Sequence, residues 1–345
     1  MKKNKKNMLN NEPHETVDTE VASEVQSTDS RNYIDDKFGS MVIRLGVLGG
    51  LLAISIFVFN SEPFNIKKTD VVATPTQAVT QISPFEHIFI EAKAAYVYDL
   101  SDEKILFSKN EHSQLPLASI TKLMTALVAS KLISEDTVVT ITNKSIAVDG
   151  DNGFHTDEKW NFKDLLDYTL LVSSNDGAHA IAGVAGAFVH DTEKEDNRLS
   201  FIEDMNNTAL SLGLAQTYFI NESGLDTSTQ TGGGYGSARD IASLLAYIIS
   251  EQPSLLSATA YESQNFVSGD GFIYNATNTN AAIGKIPGLI ASKTGFTELA
   301  GGNLAIAFDA GINHPVVAVV LGSSFEGRFR DIEKLVKTTL EDLSQ

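Results

Sequence analysis

Three short strings in this chain could together build a nucleophilic site. Ser119-Ile120-Thr121-Lys122 sets a hydroxyl and an amine one helical turn apart on the same face. A serine hydroxyl is a poor nucleophile until a base removes its proton. A lysine can be that base only when its ammonium is destabilised, by burial or by a second cation. Lys293, in Lys293-Thr294-Gly295, is a candidate for that cation. Helix N-terminal N–H groups would favour the developing negative charge. The third string is Ser173-Ser174-Asn175. There Ser173 could relay a proton to a leaving group, and Asn175 could hold a substrate amide. Lys293 and Thr294 would face a substrate carboxylate, and Gly295 would let a substrate strand approach the backbone.

None of these strings is specific alone. Ser-x-x-Lys recurs at Ser101–Lys104, and Ser-x-Asn recurs at Ser30, Ser108 and Ser263. Context separates them. Ser101 falls in a charged turn between two short strands, whereas Ser119 follows Leu115-Pro116-Leu117-Ala118 and opens an apolar helical run to Ile133. Ser173 lies between two helical segments, where a polar loop can line a cleft. The bland readings remain open here: an N-cap serine with a surface lysine, an ordinary helix–helix turn, and a strand end.

The elements that must carry these residues follow from periodicity. Ala94–Tyr98 and Ile105–Phe107 read as a hairpin around Ser101–Lys104. Asn161–Leu171, Asp176–Val189, Phe201–Leu212 and Ala238–Ile249 read as helices. Gly302–Phe308 and Val316–Leu321 read as strands, and Phe325–Leu343 as a closing amphipathic helix. Strands at both ends around a helical middle predict an α+β domain, one sheet flanked by helices.

Upstream, residues 1–40 are polar and lack apolar periodicity, which predicts a disordered tail. Residues 41–60 hold a run with Arg44 as its one charge, close to the roughly 20 residues of a membrane-spanning helix. Lys37 and Arg44 on its N-terminal side predict a cytoplasmic N-terminus, although Lys67 and Lys68 lie on the other side. No small-x-small cleavage site follows at Asn60-Ser61-Glu62-Pro63, which argues against a cleaved signal peptide. Residues 61–86, with Pro63, Pro75 and Pro84, read as an extended tether, and 87–345 as the globular domain.

Composition narrows the chemistry. The formal net charge of −18 disfavours nucleic acid or anionic lipid as the main partner. With no cysteine, seven scattered histidines and no His-Glu-x-x-His string, no metal or other cofactor is expected.

Taken together and in this order, the three strings resemble those of the serine-type D-alanyl-D-alanine carboxypeptidases, the low-molecular-mass penicillin-binding proteins. The likeness extends to Leu117–Ala126, to Ser173–Ala178, to Leu212–Leu214, Asn221–Leu225 and Ser237–Asp240, and to Pro287–Thr297 followed by Ala300-Gly301-Gly302. It covers roughly residues 88–345. The resemblance implies a β-lactamase/DD-peptidase-like fold: an antiparallel sheet flanked by helices, plus a helical subdomain. It implies an acyl-enzyme on Ser119 with Lys122 as base. Ser173, Asn175 and Lys293 would form the proton and substrate network, although which lysine acts as base stays open. It further implies Thr294 at the terminal carboxylate and an oxyanion hole from the N–H groups of Ser119 and Phe296. The substrate would be a peptidoglycan stem peptide ending in D-Ala-D-Ala, and β-lactams would be covalent inhibitors.

Two departures stand out. The family's Asn-x-Asn segment, basic at its middle in some members, is here Asn278-Thr279-Asn280. Only a short stretch follows Lys293, so the β-rich second domain and C-terminal amphipathic anchor of many members are not expected here. The span at 41–60 is expected to serve as the anchor instead, placing the catalytic domain outside the cell membrane. Three other functions share these motifs: a β-lactamase, a DD-endopeptidase, and a penicillin-binding sensor without turnover. The lactamase needs a Glu-x-x-Leu-Asn segment, and the nearest string, Glu203-Asp204-Met205-Asn206, lacks that spacing.

Overall fold

Segments from the two ends of the folded domain meet in one sheet. The computed structural model describes residues 83–150, 152–189 and 197–345. In chain order, β1 (Ala94–Asp99) and β2 (Lys104–Lys109) form a hairpin. A short β3 (Leu115–Pro116) leads into a 3-10 turn (Ala118–Thr121) and then α1 (Lys122–Leu132). Next come β4 (Val138–Thr140), β5 (Lys159–Asn161), α2 (Phe162–Val172), α3 (Asn175–Val189) and α4 (Asn197–Ser211). After β6 (Tyr218–Phe219) and β7 (Gly234–Gly236), α5 (Ala238–Glu251) precedes the hairpin β8 (Ser263–Val267) and β9 (Ile273–Thr277). The chain closes with β10 (Leu289–Thr297), β11 (Gly301–Asp309), β12 (Pro315–Ser323) and α6 (Gly327–Leu343).

The main sheet has the order β10-β11-β12-β1-β2, with every neighbour antiparallel. Its central strands are buried on both faces, so they are continuous apolar runs rather than alternating ones. Alternation still decides which side chain goes where. Val317, Val319 and Leu321 join the core shared with α5, whereas Val316, Ala318 and Val320 join the one under α6. Both helices obey the same logic. Ile241, Leu244, Leu245 and Ile248 of α5 face one core, and Phe329, Ile332, Leu335 and Val336 of α6 face the other. The exposed edge strand β2 carries Lys104 and Lys109, which discourages pairing with another chain.

The remaining helices form a second layer on the α5 side. At its centre α1 is buried on nearly every side, with Leu123, Met124, Ala126, Leu127, Val128 and Ala129 in the core and Lys122 and Thr125 buried beside them. It packs against α3, α4 and α5. The expected α+β architecture is present, an antiparallel sheet flanked by helices with a helical subdomain.

Several boundaries differ from the sequence reading, each for a local reason. The segment Pro84–His87, assigned to the tether up to residue 86, is a 3-10 turn. It belongs to the fold because Phe85 is buried and stacks on Phe107 at 5.6 Å. The helix expected from Ser119 begins as a 3-10 turn and becomes α-helical only at Lys122. The closing helix starts at Gly327 rather than Phe325, because Ser324 Oγ accepts the Gly327 N–H at 3.0 Å. The hairpin β8–β9 was not foreseen. Among the described residues no helix is long and apolar enough to cross a membrane. The tail at 1–40, the apolar run at 41–60 and most of the tether lie outside the described residues.

One buried carboxylate ties the approach to β1 and the end of β12, neighbouring strands at the middle of the sheet, to α6. Asp331 accepts the N–H groups of Glu91 and Ala92 at 2.9 and 2.8 Å and the Ser323 hydroxyl at 2.8 Å. Asp331→Ala should strand two main-chain donors and lower unfolding free energy by on the order of 3 kcal/mol. Urea denaturation would show it as a lower midpoint with an unchanged slope.

Candidate active site

The three strings converge from three elements. Ser119 lies in the 3-10 turn ahead of α1, and Ser173 and Asn175 at the junction of α2 and α3. Lys293 lies mid-strand on β10, the sheet edge nearest α1, rather than at a strand end. The decoys stay apart: Ser101 is in the turn of the first hairpin, Ser108 on β2 and Ser263 on β8.

Lys122 donates to Ser119 Oγ at 2.9 Å, to Asn175 Oδ1 at 2.8 Å and to the Ser223 carbonyl at 2.9 Å. An ammonium has three protons, and these three oxygens use them all. Lys293 donates to Ser173 Oγ at 2.8 Å and to the Thr294 carbonyl at 2.9 Å. Both lysines are buried, while Ser119, Ser173 and Asn175 are only half-buried. The hydroxyls therefore face an opening and the amines back them.

Burial governs the charge. Desolvation pulls the Lys122 ammonium down to about 7, against the opposing pull of Glu222 and Asp176. Lys293 is pushed well below the usual lysine range by burial first, then by Lys122 and Arg328. The sequence argument looked to Lys293 as a second cation acting on Lys122. Here burial does that work, and the cationic pressure falls on Lys293. Glu222 is itself held down at about 2 despite its burial, by His179 at 3.1 Å and Arg198 at 2.8 Å.

Backbone geometry brings the elements this close. Gly295 was expected to admit a substrate strand, yet a Cβ there would lie 2.7 Å from the Leu117 carbonyl and 3.2 Å from the Ile120 nitrogen. The glycine is needed so that β10 can press on the Ser119 turn. Gly224, at φ +82, meets the same turn from the other side, where a Cβ would be 1.9 Å from the Ala118 carbonyl. Two non-glycine residues take left-handed backbone here, Ala118 at φ 47 and Ser173 at φ 64. Both adjoin or belong to the strings, where such strain is commonly stored.

Other contacts escaped the sequence reading. Arg328 of α6 is buried and donates to the Gly295 carbonyl at 2.9 Å. Its guanidinium lies 4.4 Å from the Phe325 ring centre and 4.6 Å from that of Phe329. Burial lowers it to about 10. Asn303 donates to the Pro116 and Leu117 carbonyls, both at 3.0 Å, pinning the approach to Ser119 onto β11. Thr294 Oγ1 and Thr279 Oγ1 share a hydrogen bond of 2.5 Å, so Thr279 does stand beside the Lys-Thr-Gly strand. Phe296 is exposed and stacks edge-on against Phe325 at 5.0 Å. Its N–H should face the cleft. The Thr294 carbonyl already points there, towards Lys293 Nζ, and peptide groups two residues apart on a strand share a side.

Such an arrangement can deprotonate a serine hydroxyl and pass a proton through a second serine–lysine pair. The sequence pattern of D-alanyl-D-alanine carboxypeptidases, peptidase S11, matches residues 78–324. The chain belongs to that family. It is 29% identical over 240 residues to a D-alanyl-D-alanine carboxypeptidase of Bacillus subtilis, covering 68% of this chain and 58% of that protein. It is 30% identical over 257 residues to a D-alanyl-D-alanine endopeptidase of Escherichia coli, covering 72% and 76%. Penicillin-binding protein D2 of Listeria monocytogenes, solved with cefotaxime bound, superposes with a TM-score of 0.61 at 27% identity. That match covers 73% of this chain and 98% of the Listeria chain. The lactamase segment has no counterpart here. Glu203 is exposed on α4, and Asn206 gives its amide to the Ile202 and Phe219 carbonyls at 3.0 and 2.9 Å.

The lowered Lys122 fixes the sign of a stability measurement. Between about pH 7 and its ordinary value of 10.5, the unfolded chain binds more protons at this site than the folded one. The burial penalty is thus full below about pH 7 and relieved as pH rises towards 10.5. Lys122→Met should therefore gain more unfolding free energy, relative to wild type, at pH 6 than at pH 10. Equal differences in urea unfolding at the two pH values would show that burial does not discharge this lysine.

Proposed function

We propose that this protein is a serine DD-carboxypeptidase that removes the terminal D-alanine from peptidoglycan stem peptides. The observation that carries the reading is the pairing of each serine with a buried lysine, Ser119 with Lys122 at 2.9 Å and Ser173 with Lys293 at 2.8 Å. Neutral Lys122 takes the Ser119 proton, and Oγ attacks the carbonyl between the two D-alanines. The resulting oxyanion is received by the N–H groups of Ser119 and Phe296. Ser119 stands in the first turn of a helix, where N–H groups lack intrahelical acceptors. The C–N bond then breaks, and the proton that Lys122 took passes through Ser173, beside Lys293, to the leaving amine, so that Lys122 is neutral again. Water attacks the ester on Ser119, returns a proton to the oxygen and frees the enzyme. Asn175 orients the substrate amide, and Thr294 and Gly295 line the strand edge beside it.

The name of the Escherichia coli relative supports a second reading on the same site, cleavage of D-alanyl cross-links. Both fit the same acyl-enzyme, so the substrates must be tried side by side. A β-lactam mimics the dipeptide, and the Listeria relative holds cefotaxime. The full chain treated with labelled penicillin should carry the label on Ser119, and Ser119→Ala should carry none. It should release D-alanine from a peptide ending in D-Ala-D-Ala faster than it opens a cross-linked dimer. Sustained fast hydrolysis of a chromogenic cephalosporin would sink this reading in favour of a lactamase. Equal binding of the peptide by wild type and Ser119→Ala, without D-alanine release, would favour a sensor.

We further propose that residues 41–60 anchor the protein in the cell membrane, with the N-terminus cytoplasmic and the catalytic domain outside, where peptidoglycan lies. The support is a run of nearly bilayer length with Arg44 as its one charge. The expected result is that the full chain stays with membranes through alkaline carbonate washing, while a chain lacking residues 1–60 does not. Protease added to spheroplasts should digest the catalytic domain; protection of that domain would reverse the topology.

A further inference from the structure

A buried carboxylate outside the cleft holds a segment that reaches the catalytic groups. Glu158 is 2% exposed. Its oxygens accept from the His155 N–H at 2.9 Å and from Trp160 Nε1 at 3.1 Å. The Tyr274 hydroxyl, from β9, lies 2.9 and 2.7 Å from the two oxygens. These are neutral donors, so the charge is held by hydrogen bonds alone among these contacts. Beside it, Phe154 is buried in a box of rings, with Trp160 at 5.6 Å, Tyr168 at 5.2 Å and Tyr274 at 5.6 Å. Such ring pairs add specific geometry to apolar burial.

The same segment touches the Ser-Ser-Asn string. Tyr168 Oη donates to the Asn152 carbonyl at 3.0 Å, and the Asn152 N–H donates to Asp176 Oδ2 at 3.3 Å. The Asp149 carbonyl accepts from Asn175 Nδ2 at 2.8 Å. Gly150 sits against that amide at φ +103, where a Cβ would stand 3.0 Å from Nδ2. Gly150 and Asn152 are two residues apart in the chain, at most about 7 Å, so fixing one confines the other.

A carbonyl can only accept. The Asp149 carbonyl therefore forces the nitrogen of the Asn175 amide towards itself and the oxygen towards Lys122. Were the amide to turn over, its NH2 would meet the lysine donor to donor. We infer that Glu158 and Tyr274, with the aromatic box around Phe154, are positioning residues that fix the orientation of the Asn175 amide and thereby the placement of Lys122 against Ser119. This clamp acts through a main-chain carbonyl, and it rests on the acyl-enzyme reading above.

The test uses the full chain and the second-order rate of labelling by a fluorescent penicillin. Tyr274→Phe keeps the ring and removes the hydroxyl; Glu158→Gln keeps the shape and removes the charge. Each should slow labelling on the order of tenfold, as small misplacements of reacting groups do. In an Asn175→Ala background the same substitutions should change the rate by less than about twofold, because the path they act through is gone. A structural defect would instead slow both backgrounds equally, and that result overturns the clamp. So does a wild-type rate in Tyr274→Phe, the variant that carries the test if Glu158→Gln fails to fold. A wild-type chain that takes no label at all overturns the acyl-enzyme reading, and the clamp with it.

Discussion

The placement of two lysine amines out of water, close to each other, is the constraint around which this molecule is built. A buried lysine is strongly disfavoured in its charged form unless oxygen acceptors surround it. Here those acceptors come from separate parts of the chain. Lys122 on α1 finds Asn175 from α3 and the Ser223 carbonyl from the loop after β6. Lys293 on β10 finds Ser173 from the α2–α3 junction. Moving any of these elements would leave a donor without a partner in a dry place. The close approach is possible because Gly224 and Gly295 leave room on opposite sides of the Ser119 turn. Asn303 fixes that turn to the sheet and Arg328 fixes β10 to α6. The catalytic groups and the domain's cohesion therefore share the same contacts.

The balance of charge around Lys122 follows from the same crowding. Burial pulls the lysine towards its neutral form, in which it can take a proton. Glu222 and Asp176 pull the other way, leaving it at about 7. A base poised near neutrality can accept the serine proton and give it up again within one cycle. Glu222 can exert this pull from a buried position because Arg198 and His179 keep it ionised. At Lys293, burial, Lys122 and Arg328 all press in the same direction, towards the neutral amine.

Much of this was legible in the sequence, for identifiable reasons. The run in β12 is long and β-branched, those in β1 and β11 are largely apolar, and Ser119 was set apart from Ser101 by the apolar helix it opens. Local pattern could not show features created by contact. The left-handed Ala118 and Ser173 are residues that prefer other backbone, held there by their surroundings. The acceptors at Ser223 and Asp149 are main-chain carbonyls, which carry no residue signature. Arg328 falls inside a segment that reads as an amphipathic helix, and nothing in that pattern marks it, yet it lies buried against Phe325 and Phe329. The contact of Gly295 with the Ser119 turn was hidden for the same reason, since that turn lies far away in sequence.

The distribution of acids bears on how an acyl-enzyme here would turn over. Release of the acyl group needs water to lose a proton near Ser119. Glu222 is already committed to Arg198 and His179, and Glu203 points to solvent from α4. The groups beside the ester on the proposed mechanism are then Lys122 and the Ser173–Lys293 pair. After acylation Lys122 has passed its proton towards the leaving D-alanine and is neutral again, so one base can serve both halves of the cycle. A β-lactam breaks that sequence. Its leaving nitrogen stays tethered to the acyl group, so it remains in the cleft beside the ester and obstructs the approach of water. On the proposed mechanism the same site hydrolyses a peptide ester and yet is held by a drug that forms the same bond.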